Sequence, residues 1–298
     1  MVRKGWFVGL RYYKATDIDH ALELLEQAGE NGLILAGGTD VMVDFNRTPV
    51  EADKVVVYIG DLHELARISE DDDAIHLGCL VTAAQILDSG IIKKHAYVLW
   101  EAAHESSGPQ VRNRATIGGN IGTASPAGDM IAALQCLDAR VTVIFKQGAA
   151  EKAIDEIITG VKKTSLCKGE LMTGITIQKT KQPSASAFEK IGKRKAMSIS
   201  IASASCFVKL DKDFERIEDV RIAIGAASQT TVRATDVENA LRGAVISDDV
   251  IREKSTYAIS SISPITDQRA PGSYRSEVVP VLVSRAVCKA VKRAVAGS

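Results

Sequence analysis

Two glycine-rich segments constrain this chain more than any other feature: Ala36-Gly37-Gly38-Thr39-Asp40 and Thr116-Ile117-Gly118-Gly119-Asn120. Each interrupts a run patterned as regular structure. Glycine admits φ > 0 and lets a ligand approach the main chain closely. The first pair lies between an apolar run, Leu33-Ile34-Leu35-Ala36, and an amphipathic stretch starting near Val41. That order predicts strand, tight turn, helix. A helix that starts after a glycine turn offers free N–H groups and the positive end of its dipole, which suits a phosphate. The second segment has the same turn chemistry and leads to polar groups at Thr123, Ser125 and Asp129. Two such loops predict two walls around one long, phosphate-bearing cofactor.

A chain of 298 residues has room for two domains. At 46% hydrophobic and 25% charged it has the make-up of an ordinary soluble protein. Its 37 basic residues are balanced by 37 acidic ones. A general nucleic-acid binder, which gains from neutralising phosphates with a basic surface, is therefore excluded. No apolar stretch reaches the ~20 residues of a membrane span. Arg3 and Lys4 are not followed by the apolar core of a signal peptide. The five cysteines (Cys79, Cys136, Cys167, Cys206 and Cys288) are scattered and include no C-x-x-C pair, so neither zinc nor an iron–sulfur cluster is expected on this chain. Dispersed thiols in odd number point to a reduced, cytoplasmic setting.

Periodicity predicts a helix over Thr16–Ala28, capped by Thr16, with Ile18, Leu22 and Leu25 on one face. Short apolar runs at Leu33–Ala36, Val55–Ile59, Ile75–Leu80, Val141–Phe145 and Gly174–Gln178 predict strands. Thr82-Ala83-Ala84-Gln85 has the form of a capping box. Further helices are expected over Tyr97–Ser106 and Asp129–Ala139. This alternation indicates an α/β unit. The polar stretch Lys179–Ser186, with Pro183, is the expected domain boundary. Beyond it, Ser186–Lys190, Ala202–Leu210 and Val220–Ala227 predict an antiparallel meander. Thr235 with Glu238 predicts a second capping box, and Ser247 a third cap. A last helix is expected from about Ser273, with Pro280 either kinking it or marking its first turn.

The first segment is not the dinucleotide fingerprint G-x-G-x-x-G, and the chain has no G-x-x-x-x-G-K-[ST]. A nicotinamide-type Rossmann site and a P-loop are thereby excluded. Arg112 to Asp129 is dense in glycine and small polar residues. Read as a long loop, it is of the kind that is usually functional.

At these residues the chain resembles the FAD-binding subunits of the molybdenum hydroxylases, the family of xanthine, carbon monoxide and nicotinate dehydrogenases. Leu35–Asp40 is similar to the family's first FAD loop, and Gly108–Asn113 running into Thr116–Asn120 to its second. Phe188-Glu189-Lys190 with Lys193-Arg194 resembles the entry to its C-terminal domain. Asp267–Ala270 followed by Tyr274-Arg275 resembles its closing helix signature.

The resemblance implies an α+β chain. Residues 1–180 form a two-lobed α/β FAD-binding domain (PCMH-type), and residues 181–298 a smaller domain of a three-stranded antiparallel sheet with helices. It implies non-covalent FAD between the lobes. Leu33, Ile34, Leu35, Ala36, Gly37, Gly38, Thr39 and Asp40 would hold the pyrophosphate side. Thr116, Ile117, Gly118, Gly119, Asn120 and Thr123 would hold the other side. Asp129 would make a polar contact, Leu171 or Met172 would cover the ring system, and Lys190 would lie near the flavin. It implies partner subunits carrying [2Fe-2S] clusters and a molybdenum cofactor, in a heterotrimer that can itself dimerise. Electrons would pass to NAD or another acceptor, and a purine or other N-heterocycle would be the substrate.

Many relatives carry an acid shortly after the basic cluster, where this chain has Met197-Ser198-Ile199. His104, before the second loop, is where a covalent flavin would attach, but this family binds FAD without a covalent bond. Asp71-Asp72-Asp73 has the pattern of a solvated turn, not a metal site. Two competing readings are a self-sufficient flavin oxidoreductase of the vanillyl-alcohol-oxidase type and a scaffold subunit without FAD. Intact glycines at both segments speak against the scaffold.

Overall fold

The computed structural model describes residues 10–47, 53–181 and 183–297. The chain builds three main sheets. The first is parallel, with Arg11–Lys14 and Gly32–Leu35 flanking Val55–Tyr58. Parallel pairing needs a crossover, and the helix Ile18–Ala28 supplies one. Its apolar face, including Ala21, Leu24 and Leu25, closes a small core with Val55, Val57 and Leu171. The helix is capped by Asp17, whose side chain accepts from the N–H of His20. Thr16 was expected in that role; it hydrogen-bonds to Asp17 instead, and the cap lies one residue later.

The second sheet is five-stranded and antiparallel, in the order Ile68–Glu70, Ala74–Gly78, Leu171–Gln178, Arg140–Phe145, Gly148–Ala153. Asp71–Asp73 turns between its first two strands, and the Asp71 carboxylate accepts from the N–H groups of Asp73 and Ala74. Thr82 and Gln85 form the expected capping box. A two-stranded hairpin, Ile158–Gly160 with Lys163–Thr164, lies beside this sheet.

The third sheet holds the expected meander, longer than the apolar runs suggested: Ser184–Gly192, Ser200–Leu210 and Ile217–Gly225. A two-residue edge strand, Val232–Arg233, adds a fourth member. The long helix Gly272–Ala296 covers one face through Val279, Val283, Ala286, Val287 and Ala290. It starts well before Pro280, which is therefore inside the helix and not at its first turn. Helices Tyr97–Glu105 and Asp129–Cys136 pack against the same sheet, where Phe188 and Phe207 join their apolar cluster.

The second expected capping box, Thr235 with Glu238, does not form. The helix Thr235–Leu241 has no side-chain cap. Glu238 is used elsewhere: its carboxylate accepts from the Ile222 N–H at 2.7 Å and from both Nε and Nη2 of Arg233. A buried carboxylate satisfied by a guanidinium fork outweighs a local cap. Ser247 precedes the helix Asp248–Ser255 without a capping side-chain bond.

Candidate functional site

The strand Gly32–Leu35 delivers the first glycine segment to the turn at Arg114, just ahead of the second. Gly38 has φ +75°, a conformation that favours glycine. At Gly37 the reason is space: a Cβ there would lie 1.7 Å from the carbonyl oxygen of Arg114. The first segment therefore packs against the turn that leads into the second. No described residue accepts from the N–H groups of Gly37, Gly38, Thr39 or Asp40. Successive unpaired amides in a turn make an anion-binding concavity.

The second segment is not a long loop. Pro109–Arg112 and Ile117–Thr123 are short helices. Three glycines in seven residues is a poor helix composition, yet the helix forms because tertiary contacts hold it. Thr116 caps it, its Oγ1 accepting from Gly119 N–H at 3.0 Å. Ile117 N–H donates to Val81 and Gly118 N–H to Cys79, each at 2.8 Å. Ile117 and Ile121 are fully buried. Gly118 has no room for a side chain, since a Cβ would lie 2.7 Å from that of Cys79 and 2.8 Å from its carbonyl oxygen. Gly119 and Gly122 face outward.

Of the other expected site residues, Leu33, Ile34, Leu35 and Ala36 are half-buried along the strand, with Ile34 and Ala36 packed on the small core. Leu171 is buried in that core. Met172 is next to the glycine helix, its Cε 3.5 Å from where a Gly122 Cβ would be. Thr123 is half-buried at the helix end, before the left-handed Ala124. Asn120 is half-buried, and its Oδ1 is enclosed without a protein partner.

Asp129 and Lys190 form a pair. Lys190 Nζ is 2.8 Å from Asp129 Oδ2, and both side chains are less than a tenth exposed. Ser200 Oγ donates to Asp129 Oδ1 at 2.5 Å. Lys190 also donates to the carbonyls of Glu105 and Ser198, each at 3.0 Å. Burial pushes the Asp129 carboxyl above its ordinary value; the Lys190 ammonium and the Ser200 hydroxyl oppose the rise. Asp129 begins its helix, where a negative charge is favoured. Ser200 was missed because a serine inside an apolar strand run carries no signal of its partner. Lys190, Glu105 and the hairpin residues Ile191–Ser198 line a cavity of about 370 Å³.

The match to family models decides what this site belongs to. Residues 8–179 match the FAD binding domain in molybdopterin dehydrogenase, and residues 187–290 the CO dehydrogenase flavoprotein C-terminal domain. The chain belongs to the FAD-binding subunits of the molybdenum hydroxylase family. It is 29% identical to the 6-hydroxypseudooxynicotine dehydrogenase complex subunit alpha of Paenarthrobacter nicotinovorans, over 95% of each chain. It is 30% identical to the glyceraldehyde dehydrogenase medium chain of Sulfolobus acidocaldarius, over 92% of this chain and 96% of that one. A solved carbon monoxide dehydrogenase chain from Hydrogenophaga pseudoflava superimposes with a TM-score of 0.90 at 26% identity, covering 95% of this chain and 98% of that one.

The residues of this flavoprotein subunit fit the cofactor on the structure's own terms. A diphosphate needs donors, and four consecutive main-chain N–H groups have no acceptor among the described residues. A ribityl or ribose hydroxyl needs an acceptor, and Asn120 Oδ1 is an enclosed acceptor with no donor among the described residues. A flat ring needs a wall without side chains, and Gly119 and Gly122 give one. His104 stacks on Trp100, ring centroids 5.3 Å apart. Among the described residues there is no cluster of His, Cys, Asp or Glu that could hold a metal, and all five cysteines are free. No described helix is long and apolar enough to cross a membrane.

Proposed function

We propose that this subunit holds FAD non-covalently between its two glycine walls and links an iron–sulfur partner to an electron acceptor, NAD or another. The observation that carries the reading is the run of N–H groups from Gly37 to Asp40 with no acceptor among the described residues, in a turn that packs on Arg114 just ahead of the glycine helix. When bound, FAD supplies the redox chemistry, which is the cofactor's own. The protein's part is to bind, orient and screen it.

The amides of Gly37–Asp40 hold the diphosphate. Asn120 Oδ1 and the hydroxyl of Thr123 take polar groups on the opposite side. Thr116 acts through its cap, which fixes the helix that bears them. Met172 covers the ring system, with Leu171 supporting it from the core. Lys190 and Asp129 act as a neutral buried pair at the side closed by the C-terminal sheet. The cavity bounded by Lys190 and the hairpin supports placing the flavin end there; its size is that of a small-ligand site. In the complex, a [2Fe-2S] subunit donates electrons and a molybdenum-cofactor subunit hydroxylates an N-heterocycle, a purine or a pyridine ring. Support for that substrate class is the naming of relatives as nicotine 6-hydroxylase and nicotinate dehydrogenase subunits.

Purified full-length chain should be yellow, and acid precipitation should release stoichiometric FAD into the supernatant. Colourless protein that takes up no added FAD would overturn the cofactor site. In an anaerobic titration, heterocyclic substrates should leave the isolated chain's flavin oxidised until both partner subunits are added. Rapid bleaching without partners would make the chain a self-sufficient flavoenzyme.

A further inference from the structure

Lys162 bridges the end of the glycine helix and the first glycine segment, although no sequence motif points to it. It occupies the tip of the hairpin Ile158–Gly160/Lys163–Thr164. Its N–H donates to the carbonyl of Ala124 at 3.0 Å, which ties it to the end of the glycine helix. Its ammonium reaches the opposite wall, 3.8 Å from Asp40 Oδ2 and 3.2 Å from Asp44 Oδ2. Among the described residues it is the only cation paired with either acid. Lys162 and Ala124 are both left-handed, with φ of 54° and 48°. Non-glycine residues in this region are strained, and such residues cluster at functional sites. Glycine would fit the Lys162 turn without strain, so the side chain is what the position adds.

The charges around the free amides pose a problem. Asp40 supplies one of the unpaired N–H groups and also carries a carboxylate, and Asp44 lies one helical turn on. Two negative charges stand beside the place proposed for an anionic diphosphate. We propose that Lys162 is the residue that compensates Asp40 and Asp44, so that a diphosphate-bearing flavin is accepted on this loop. Lys162 is a positioning residue; its effect passes through the two acids. This inference rests on the diphosphate placement proposed above.

The test is FAD affinity of the full-length chain at low and high salt, read by flavin fluorescence. Lys162→Gly keeps the turn and removes the ammonium. It should weaken FAD binding by roughly three- to tenfold at low salt, and much less at 0.5 M salt, where charges are screened (~4 Å). Adding Asp44→Asn or Asp40→Asn to that variant should restore most of the affinity, and Lys162→Arg should bind as wild type does. Unchanged affinity of Lys162→Gly would overturn the proposal. So would a loss of equal size at both salt concentrations that neither Asn substitution relieves, since that is the mark of a structural defect. Wild-type chain that binds no FAD would overturn the cofactor site itself and this inference with it; wild-type binding with an indifferent Lys162→Gly would overturn this inference alone.

Discussion

In the first glycine segment the main chain is open: no described residue accepts from the N–H groups of Gly37, Gly38, Thr39 or Asp40. In the second, every N–H from Ile117 to Asn120 is bonded within the protein, to Val81, Cys79 and the two oxygens of Thr116. The glycines differ in the same way. Gly37 avoids a neighbouring carbonyl and Gly38 adopts a left-handed backbone, so that a donor-rich turn can exist at all. Gly118 lets a helix lie flat on Cys79, and Gly119 and Gly122 leave its outer face bare. One wall offers hydrogen-bond donors; the other offers a smooth surface and a single orphaned acceptor, Asn120 Oδ1. Similar glycine-rich strings thus answer different physical needs, and substitution separates those needs.

Gly37→Ala should have the largest effect. Its Cβ would collide with backbone, which cannot rotate away, so we expect a loss of about 3 kcal/mol or more. FAD binding should vanish with it, because the loop and the Arg114 turn must part. Urea unfolding and FAD titration report both effects, and a variant with wild-type values in each would show that Gly37 does not rest on Arg114. Gly118→Ala comes next, with about 2–3 kcal/mol expected from overpacking against Cys79. Here stability should fall more than affinity measured on the folded fraction; an affinity loss with intact stability would make Gly118 part of the ligand surface.

Gly38→Ala should cost about 1–2 kcal/mol through its left-handed backbone, with Gly38→Asn milder because Asn tolerates that region. If Ala and Asn were equally harmful, crowding and not the dihedral would be the constraint. Gly122→Ala should have the smallest effect, and the opposite sign. Its Cβ would make an ordinary 3.5 Å contact with Met172, and replacing glycine in a helix gains about 0.5–1 kcal/mol. The apo chain should melt at a higher temperature while FAD affinity falls. A stabilised variant with undiminished affinity would remove Gly122 from the cofactor wall.

Much of this was legible in the residues. The runs Val55–Ile59 and Ile75–Leu80 read as strands because short apolar runs bounded by turn residues have few alternatives, and strands form there over Val55–Tyr58 and Ala74–Gly78. Thr82–Gln85 announced its own cap because both partners lie within four positions. The glycine helix did not read as one, since its composition argues against helix and what holds it is Val81 and Cys79, distant in sequence. Glu238 was misplaced for the same reason: the local pattern offered a cap, and Arg233 with the strand Ile217–Gly225 offered a better partner.

The site shows the same division. The sequence by itself determined where the turns fall, which faces are apolar, and that two glycine segments are present. It could do so because dihedral preference and periodicity are local properties. Only the tertiary structure decided that Gly37 rests on Arg114, that Asp129 and Lys190 neutralise each other out of water, and that Lys162 faces Asp40 and Asp44. Those facts depend on which distant residues become neighbours, and no short stretch of chain contains its own neighbours.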